Sequence, residues 1–138
     1  MGAKNKSNQT HEGECWCGSG DLFTVCCEPL LNGSQHALSA QALMQSRYCA
    51  YVLQDESYLR ATWALETCPD DLHVDPRQRW LGLKVLAVRD GQAGDDVGIV
   101  EFVARFKING GGHRLHEVSR FQRRGEKWVY VDGDVLPK

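Results

Sequence analysis

The residues with the most chemistry per unit length are the cysteines of C-W-C-G-S-G-D-L-F-T-V-C-C. Cys15 and Cys17 are one residue apart, eight residues follow, and Cys26 and Cys27 are adjacent. Four thiolates at this density suit a closed tetrahedral Zn2+ site, with metal–sulfur arms of ~2.3 Å. Gly18 and Gly20 flank Ser19 directly after the first pair, and glycine supplies the positive-φ backbone that folds a chain tightly around an ion. Backbone N–H groups in such a turn point at the thiolates and stabilise their charge. Leu22, Phe23 and Val25 provide apolar cover, and Cys26 and Cys27 are expected to enter from a short helical turn stopped before Pro29. Four protein sulfurs leave no open position for water, so the expected role is structural.

Other uses of the sulfur stay open at this level. Adjacent cysteines rarely bridge one another, and bridges within so short a segment must meet demanding geometry. A redox pair usually shows Cys-x-x-Cys, which is absent here, whereas an iron–sulfur cluster also accepts four thiolates. Compartment bears on the choice. MGAKNKSNQTHEGE contains no apolar core of a secretory signal. A cytoplasmic location is therefore expected, where thiols stay reduced and clustered cysteines read as metal ligands before disulfides. Residues 1–12 read as a disordered polar tail.

Composition bounds the rest. The chain has 138 residues, 42% hydrophobic and 25% charged, enough for one ordinary domain plus a small appendage. A net charge of −2 argues against nucleic-acid binding by bulk positive charge. No apolar run approaches the ~20 residues of a membrane span, so no membrane partner is expected.

The elements that must position any site follow from hydrophobic period. After the cysteines, Asn32-Gly33-Ser34 offers a hinge. Ser39 can cap a helix on which Ala40, Leu43, Met44, Tyr48, Tyr51 and Val52 share a face. A second helix capped by Ser57 is expected to run to Cys68-Pro69, and Asp75-Pro76 to open a short third. The period then changes to two. Strands are expected over Leu81–Val88, Ile99–Lys107, Leu115–Arg123 and Trp128–Asp132, with Gly110-Gly111-Gly112 as a hairpin connection. Helices first and antiparallel strands after them make the fold class α+β, with the helices packed on one sheet face.

Two resemblances add to this. C-x-C-G-S-G…C-C resembles the SEC-C motif, a small zinc-binding module, and keeps every ligand position of it. The resemblance implies Zn2+ held by Cys15, Cys17, Cys26 and Cys27 in a module over 13–31, often with a protein-interaction role. S-R-Y-C-A-Y (46–51), T-W (62–63), W-L-G-L-K-V (80–85), G-I-V-E-F-V-A-R-F (98–106), E-V-S-R-F (117–121) and W-V-Y-V-D-G (128–133) together are similar to the YchJ-like family of small bacterial proteins. That resemblance implies a domain over 35–135 of nuclear transport factor 2-like fold, a curved sheet wrapped by helices into a cone. Many relatives carry a second SEC-C module at the C-terminus, and this sequence ends at Lys138 without one.

A cone has a mouth in which small ligands bind. Two-residue periodicity groups Glu117, Ser119 and Phe121 on one face of the third strand and Trp128, Tyr130 and Asp132 on one face of the fourth. A pocket of Glu117, Tyr130 and Asp132 is conceivable, and Arg105 on a neighbouring strand is the expected ion-pair partner of Glu117. Cys49, among apolar helix residues, is expected to be packed rather than nucleophilic. Trp63, Trp80 and Trp128 are expected in the core. His113 and His116 lie near a glycine-rich loop as a candidate metal pair, but two histidines without a third ligand bind zinc poorly. No phosphate-binding loop, nucleophile elbow or metalloprotease helix occurs. The expected function is a zinc-binding adaptor without catalysis of its own, contacting a protein or RNA partner through Trp16, which is held between two ligands. The alternative is a small-ligand-binding protein or enzyme using the cone.

Overall fold

The structure, a computed structural model, describes residues 13–137, so the expected tail over 1–12 lies outside them. Three α-helices, α1 (Glu28–Leu31), α2 (Ala40–Leu53) and α3 (Glu56–Ala61), precede four strands, β1 (Arg79–Asp90), β2 (Val97–Ile108), β3 (Gly111–Arg124) and β4 (Lys127–Val135). The strands form one antiparallel sheet in the order β1-β2-β3-β4. Register shifts at Trp80/Gly82 and Val85/Ala87 in β1 and at Arg120/Phe121 opposite β4 interrupt the ladders. Such bulges bend strands and increase twist, and here they curve the sheet around α2. The expected α+β class is what forms.

Helix α2 starts as expected. The Ser39 hydroxyl accepts the Ala42 N–H at 3.0 Å, satisfying a donor that the first turn leaves unpaired. Ala40, Leu43, Met44, Ser46, Arg47, Tyr48, Cys49 and Ala50 are all buried. That set goes round the helix rather than along one stripe. Leu43, Met44 and Tyr48 pack against Val100, Phe102 and Ala104 of β2, Phe121 of β3 and Trp128 of β4. Full burial of a Leu or Phe contributes about 1.5–3 kcal/mol, so this contact dominates the body's stability.

Helix α3 departs from expectation at both ends. Asp55, not Ser57, caps it: its carboxylate accepts the Tyr58 N–H at 3.0 Å. The helix stops at Ala61 instead of running to Cys68-Pro69 because the next residues pair with β4. Tyr130 N–H donates to the Thr62 carbonyl and Ala64 N–H donates to the Tyr130 carbonyl, both at 2.8 Å. A sheet edge claims backbone groups that local propensity would have put in a helix. The third expected helix is a turn. The Asp75 carboxylate accepts the Arg77 N–H at 2.9 Å, and β1 follows two residues later. Among the described residues no helix is long and apolar enough to cross a membrane.

The β1–β2 hairpin meets the start of α2 at a close approach. Ala40 N–H donates to the Gly91 carbonyl at 2.9 Å, and Ala40 is fully buried. A Cβ at Gly98 would lie 2.5 Å from the Gly91 Cα and 2.9 Å from the Ala40 Cβ. Gly98→Ala is therefore expected to destabilise the protein by about 1–3 kcal/mol. Gly112→Ala, where an added Cβ meets nothing within 4 Å, is expected to stay within about 0.5 kcal/mol. Urea unfolding of the two variants checks the contrast.

Candidate functional site

Two places in the molecule gather chemistry. The first is the cysteine knuckle. Glu14 and Leu22 bridge as a minimal antiparallel pair, with Cys15 N–H donating to the Asp21 carbonyl at 2.8 Å and Phe23 N–H to the Gly13 carbonyl at 2.9 Å. Between them Gly18 and Gly20 adopt φ of 84° and 89°. Gly18 also backs onto β1, where a Cβ would lie 3.1 Å from the Leu83 carbonyl oxygen. A 3-10 turn, Phe23–Val25, delivers Cys26 and Cys27. Pro29 does not stop that turn; it sits in the first turn of α1, where its missing N–H is not needed.

The sulfurs of Cys15, Cys17, Cys26 and Cys27 all lie within 4.8 Å of one another. Cys17 and Cys26 are 3.6 Å apart, and Cys26 and Cys27 3.9 Å. A tetrahedron with ~2.3 Å arms separates its corners by roughly 3.8 Å, so the spacing fits one tetrahedral ion. Cys15, Cys17 and Cys27 are buried, at 4%, 2% and 2% exposure. The Ser19 hydroxyl stands 3.2 Å from the Cys26 sulfur, an outer-shell hydrogen bond of the kind that orients a ligand. Hydrogen bonding within the group, from Cys15 first, holds the Cys17 thiol far below its ordinary range. Burial first of all pushes Cys26 up to about 11, and hydrogen bonds to Cys15 and Cys17 push Cys27 up as well. Two of the crowded thiols, Cys15 and Cys17, are thus lowered and two raised, whereas a dication stabilises the full set of thiolates. These four cysteines are placed to bind a metal ion.

A fifth sulfur was not foreseen at this site. Cys49, on α2, has no exposed surface and its sulfur lies 3.5 Å from that of Cys15. It was expected to be packed, and it is packed against the knuckle, joining Cys15, Cys17, Cys27, Trp16 and Leu83 in one cluster. The only sequence signal for this was a small thiol on an otherwise apolar helix. The 32–34 link is a folded turn, with Ser34 N–H donating to the Asn32 side chain at 2.9 Å and Gln35 N–H to the Pro29 carbonyl at 3.0 Å.

The second place is a cavity of about 320 Å³ between α2 and the concave face of the sheet. Tyr48, Tyr51, Trp63, Trp80, Phe102 and Phe121 form its aromatic walls, and Arg47, Gln78, Glu117, Ser119 and Tyr130 are its polar members. Of the pocket expected from sequence, Glu117 and Tyr130 come together: the Tyr130 hydroxyl donates to Glu117 Oε2 at 2.8 Å, and so does Ser119 at 2.7 Å. Burial, then the Glu117 charge, pushes the Tyr130 hydroxyl upward. Asp132 is not in the cavity. The bulge between the pairs Phe121–Tyr130 and Arg120–Asp132 breaks the two-residue alternation. It turns Asp132 to the exposed side, where Arg120 donates to it at 2.5 Å. Arg105 is not the partner of Glu117 either. The register sets Glu117 opposite Phe102 and Arg105 opposite Arg114, and Arg105 is exposed.

The histidines and tryptophans are also sorted by the sheet. His113 stacks on Phe106 with centroids 5.1 Å apart, while His116 pairs with Glu101 at 2.7 Å; the strand pleat sends them to opposite faces. Trp128 is core, at 3% exposure, but Trp63 and Trp80 line the cavity. Arg47, in the S-R-Y-C-A-Y stretch, is a further polar member of the cavity. It is buried at 6% exposure, donating to the Leu59 carbonyl at 2.9 Å and the Thr62 hydroxyl at 2.7 Å.

Comparison with known proteins agrees with this architecture. Residues 39–133 match the family described as YchJ, middle NTF2-like domain. The chain belongs to the YchJ-like family. A UPF0225 protein of Cupriavidus metallidurans is 48% identical over 127 residues, covering 88% of each chain. The solution structure of a SEC-C motif containing protein from Rhodopseudomonas palustris superposes with a TM-score of 0.79 at 35% identity, covering 90% of this chain and 99% of that one. The crystal structure of a SEC-C motif containing protein from Psychrobacter arcticus gives a TM-score of 0.68 at 27% identity, covering 90% and 83%.

The geometry separates ligand from neighbour among the five sulfurs. Cys27→Ser is expected to abolish stoichiometric metal binding, and Cys49→Ser to leave it intact, because the four knuckle sulfurs already complete a tetrahedron. Cobalt(II) substitution, with thiolate-to-metal absorption as readout, checks both. An unchanged spectrum for Cys27→Ser, or a lost one for Cys49→Ser, contradicts the assignment.

Proposed function

We propose that this protein binds a small molecule in its cone and that a structural zinc ion staples the N-terminal knuckle to the wall of that cone. The observation that carries the reading is the cavity. Aromatic walls and a few convergent polar groups, drawn from α2, the segment after α3 and all four strands, are the general make-up of a ligand site. Zinc is the ion that best suits four buried thiolates in a closed tetrahedron, and such a site adds folding energy rather than catalysis. Cys15, Cys17, Cys26 and Cys27 are its ligands in this reading. A thiolate centre of this kind suits a reducing compartment, so the reading assigns the protein to the cytoplasm. The role proposed for the cavity is binding, without a reaction attached to it.

An adaptor role, with a protein or RNA partner, is the second reading. Trp16 supports it less than its position between two ligands suggested. Its ring meets Phe23 edge-on at 4.9 Å and packs toward both apolar clusters of the body. What favours an adaptor is instead the exposure of Leu22 and Val25, at 55% and 70%, on the knuckle surface. Two exposed aliphatic side chains make a small patch, well below the size of a stable interface.

Metal analysis of the purified protein is expected to find one equivalent of zinc. A thermal-shift screen of metabolites on the zinc-loaded protein is expected to give stabilising hits, since a ligand that binds only the folded state raises the midpoint. Trp80→Ala, in the cavity wall, is expected to remove those shifts, and Val25→Ser, on the knuckle, to keep them. A folded, zinc-loaded protein with no hit in the screen, or a folded zinc-free one, would sink the corresponding half of the reading.

A further inference from the structure

The cavity contains a buried cation that, among the described residues, has no carboxylate within ion-pairing distance. Arg47 is 6% exposed, and one of its guanidinium nitrogens is spent on the Leu59 carbonyl and the Thr62 hydroxyl. The guanidinium carbon lies 4.9 Å from the Trp63 ring centre and 4.8 Å from that of Tyr130. Those faces attract a cation, but they do not neutralise it. Among the described residues, every ion pair within 4.0 Å belongs to another group: Arg77, His116, Arg120, Arg123 and Arg124 have carboxylates, and Arg47 has none. Burial pushes its pKa down, yet a guanidinium stays charged in proteins. A buried charge left unpaired is strongly unfavourable.

The neighbouring groups point the same way. The indole N–H groups of Trp63 and Trp80 are buried without a hydrogen-bond partner among the described residues, and both rings line the cavity. Buried donors are normally satisfied, so two orphaned donors on rings of the cavity wall, one of them the ring stacked on Arg47, leave unmet demand for acceptors in this wall. Glu117 is the opposite kind of group. Its Oε2 accepts from both Ser119 and Tyr130, and among the described residues no hydrogen bond reaches its Oε1, which leaves acceptor capacity. Tyr130 joins the two: its ring faces Arg47 and its hydroxyl holds Glu117. Cation and carboxylate are thus set about one tyrosine ring apart, with Tyr48, Trp80, Phe102 and Phe121 as apolar cover.

We propose that the cavity binds a small carboxylate with a flat apolar body, its carboxylate on Arg47 and a hydrogen-bond donor at its other end on Glu117. One Arg47 nitrogen is held by Leu59 and Thr62, and Tyr51 also hydrogen-bonds the group, so its remaining N–H groups are the donors to the carboxylate. The volume of about 320 Å³ admits one substituted aromatic ring. The donor is a hydroxyl or an ammonium group, either of which Glu117 accepts. This ligand class rests on the small-molecule reading above and is narrower than it.

Calorimetric titration of the zinc-loaded protein with 4-hydroxybenzoate, benzoate, benzamide and phenol tests it. Benzoate is expected to bind roughly tenfold to a hundredfold more tightly than benzamide, the scale of a hydrogen bond to a charged group. 4-Hydroxybenzoate is expected to bind more tightly than benzoate, and Glu117→Gln to shrink that advantage while benzoate still binds. Arg47→Met is expected to lose the preference for carboxylates. Should Arg47→Met fail to fold by circular dichroism, the benzoate–benzamide comparison on the native protein still decides. Benzamide and phenol binding as tightly as benzoate overturns the carboxylate class and leaves the cavity a ligand site. So does full benzoate binding by a folded Arg47→Met. If none of the four binds while the metabolite screen finds a different class, the proposal falls and the broader reading stands; if the screen is also empty, both fall.

Discussion

Burial of α2 on nearly all its sides is the constraint from which the rest of the structure follows. A surface helix needs only one apolar stripe. Here Leu43, Met44 and Tyr48 meet the sheet, Cys49 meets the knuckle and Arg47 enters the cavity. Residues 47 and 49 project in nearly opposite directions at ~100° per residue, so one helix serves the metal centre on one side and the cavity on the other. A displacement of α2 would be felt at both. The sheet has to curve to receive a helix buried this completely, and the bulges in β1 and opposite β4 supply the curvature.

The metal centre belongs to this same packing problem. A knuckle of about twenty residues cannot bury enough apolar surface to hold itself together. In the proposed reading it obtains order from an ion held by its thiolates, and it packs on the body through Cys49 and Leu83. The knuckle in turn covers part of α2 that would otherwise be exposed. In this reading zinc contributes to the shape of the cavity wall without touching the cavity.

Much of this was legible in the sequence, and for identifiable reasons. The cysteine spacing states its chemistry because ligand type and density are sequence-local. The Ser39 cap, the body of α2 and the four strands follow from side-chain period and turn residues, which are local as well. The failures are equally specific. Ser57 was a reasonable cap, but Asp55, two residues earlier, accepts the Tyr58 N–H and starts the helix there. The helix expected to run to Cys68 ended at Ala61 because β4 offered hydrogen bonds to Thr62 and Ala64. Asp132 was grouped with Tyr130 by strict alternation, and one bulged residue in β4 separated them. Arg105 and Glu117 were matched by charge, and register set them apart.

By itself, then, the chain's order of residues determined the metal-binding capacity of the knuckle, the α+β class and the kinship with the YchJ-like proteins. All three depend on residue types and on spacings within one element. The tertiary structure alone decided that Arg47 is buried without a carboxylate, that Glu117 answers to Tyr130 and Ser119, and that Cys49 touches the sulfur cluster. Those facts depend on register, on a bulge and on the rotation of one helix. Each is set by packing between segments far apart in the chain, and none leaves a local mark that composition or periodicity can read.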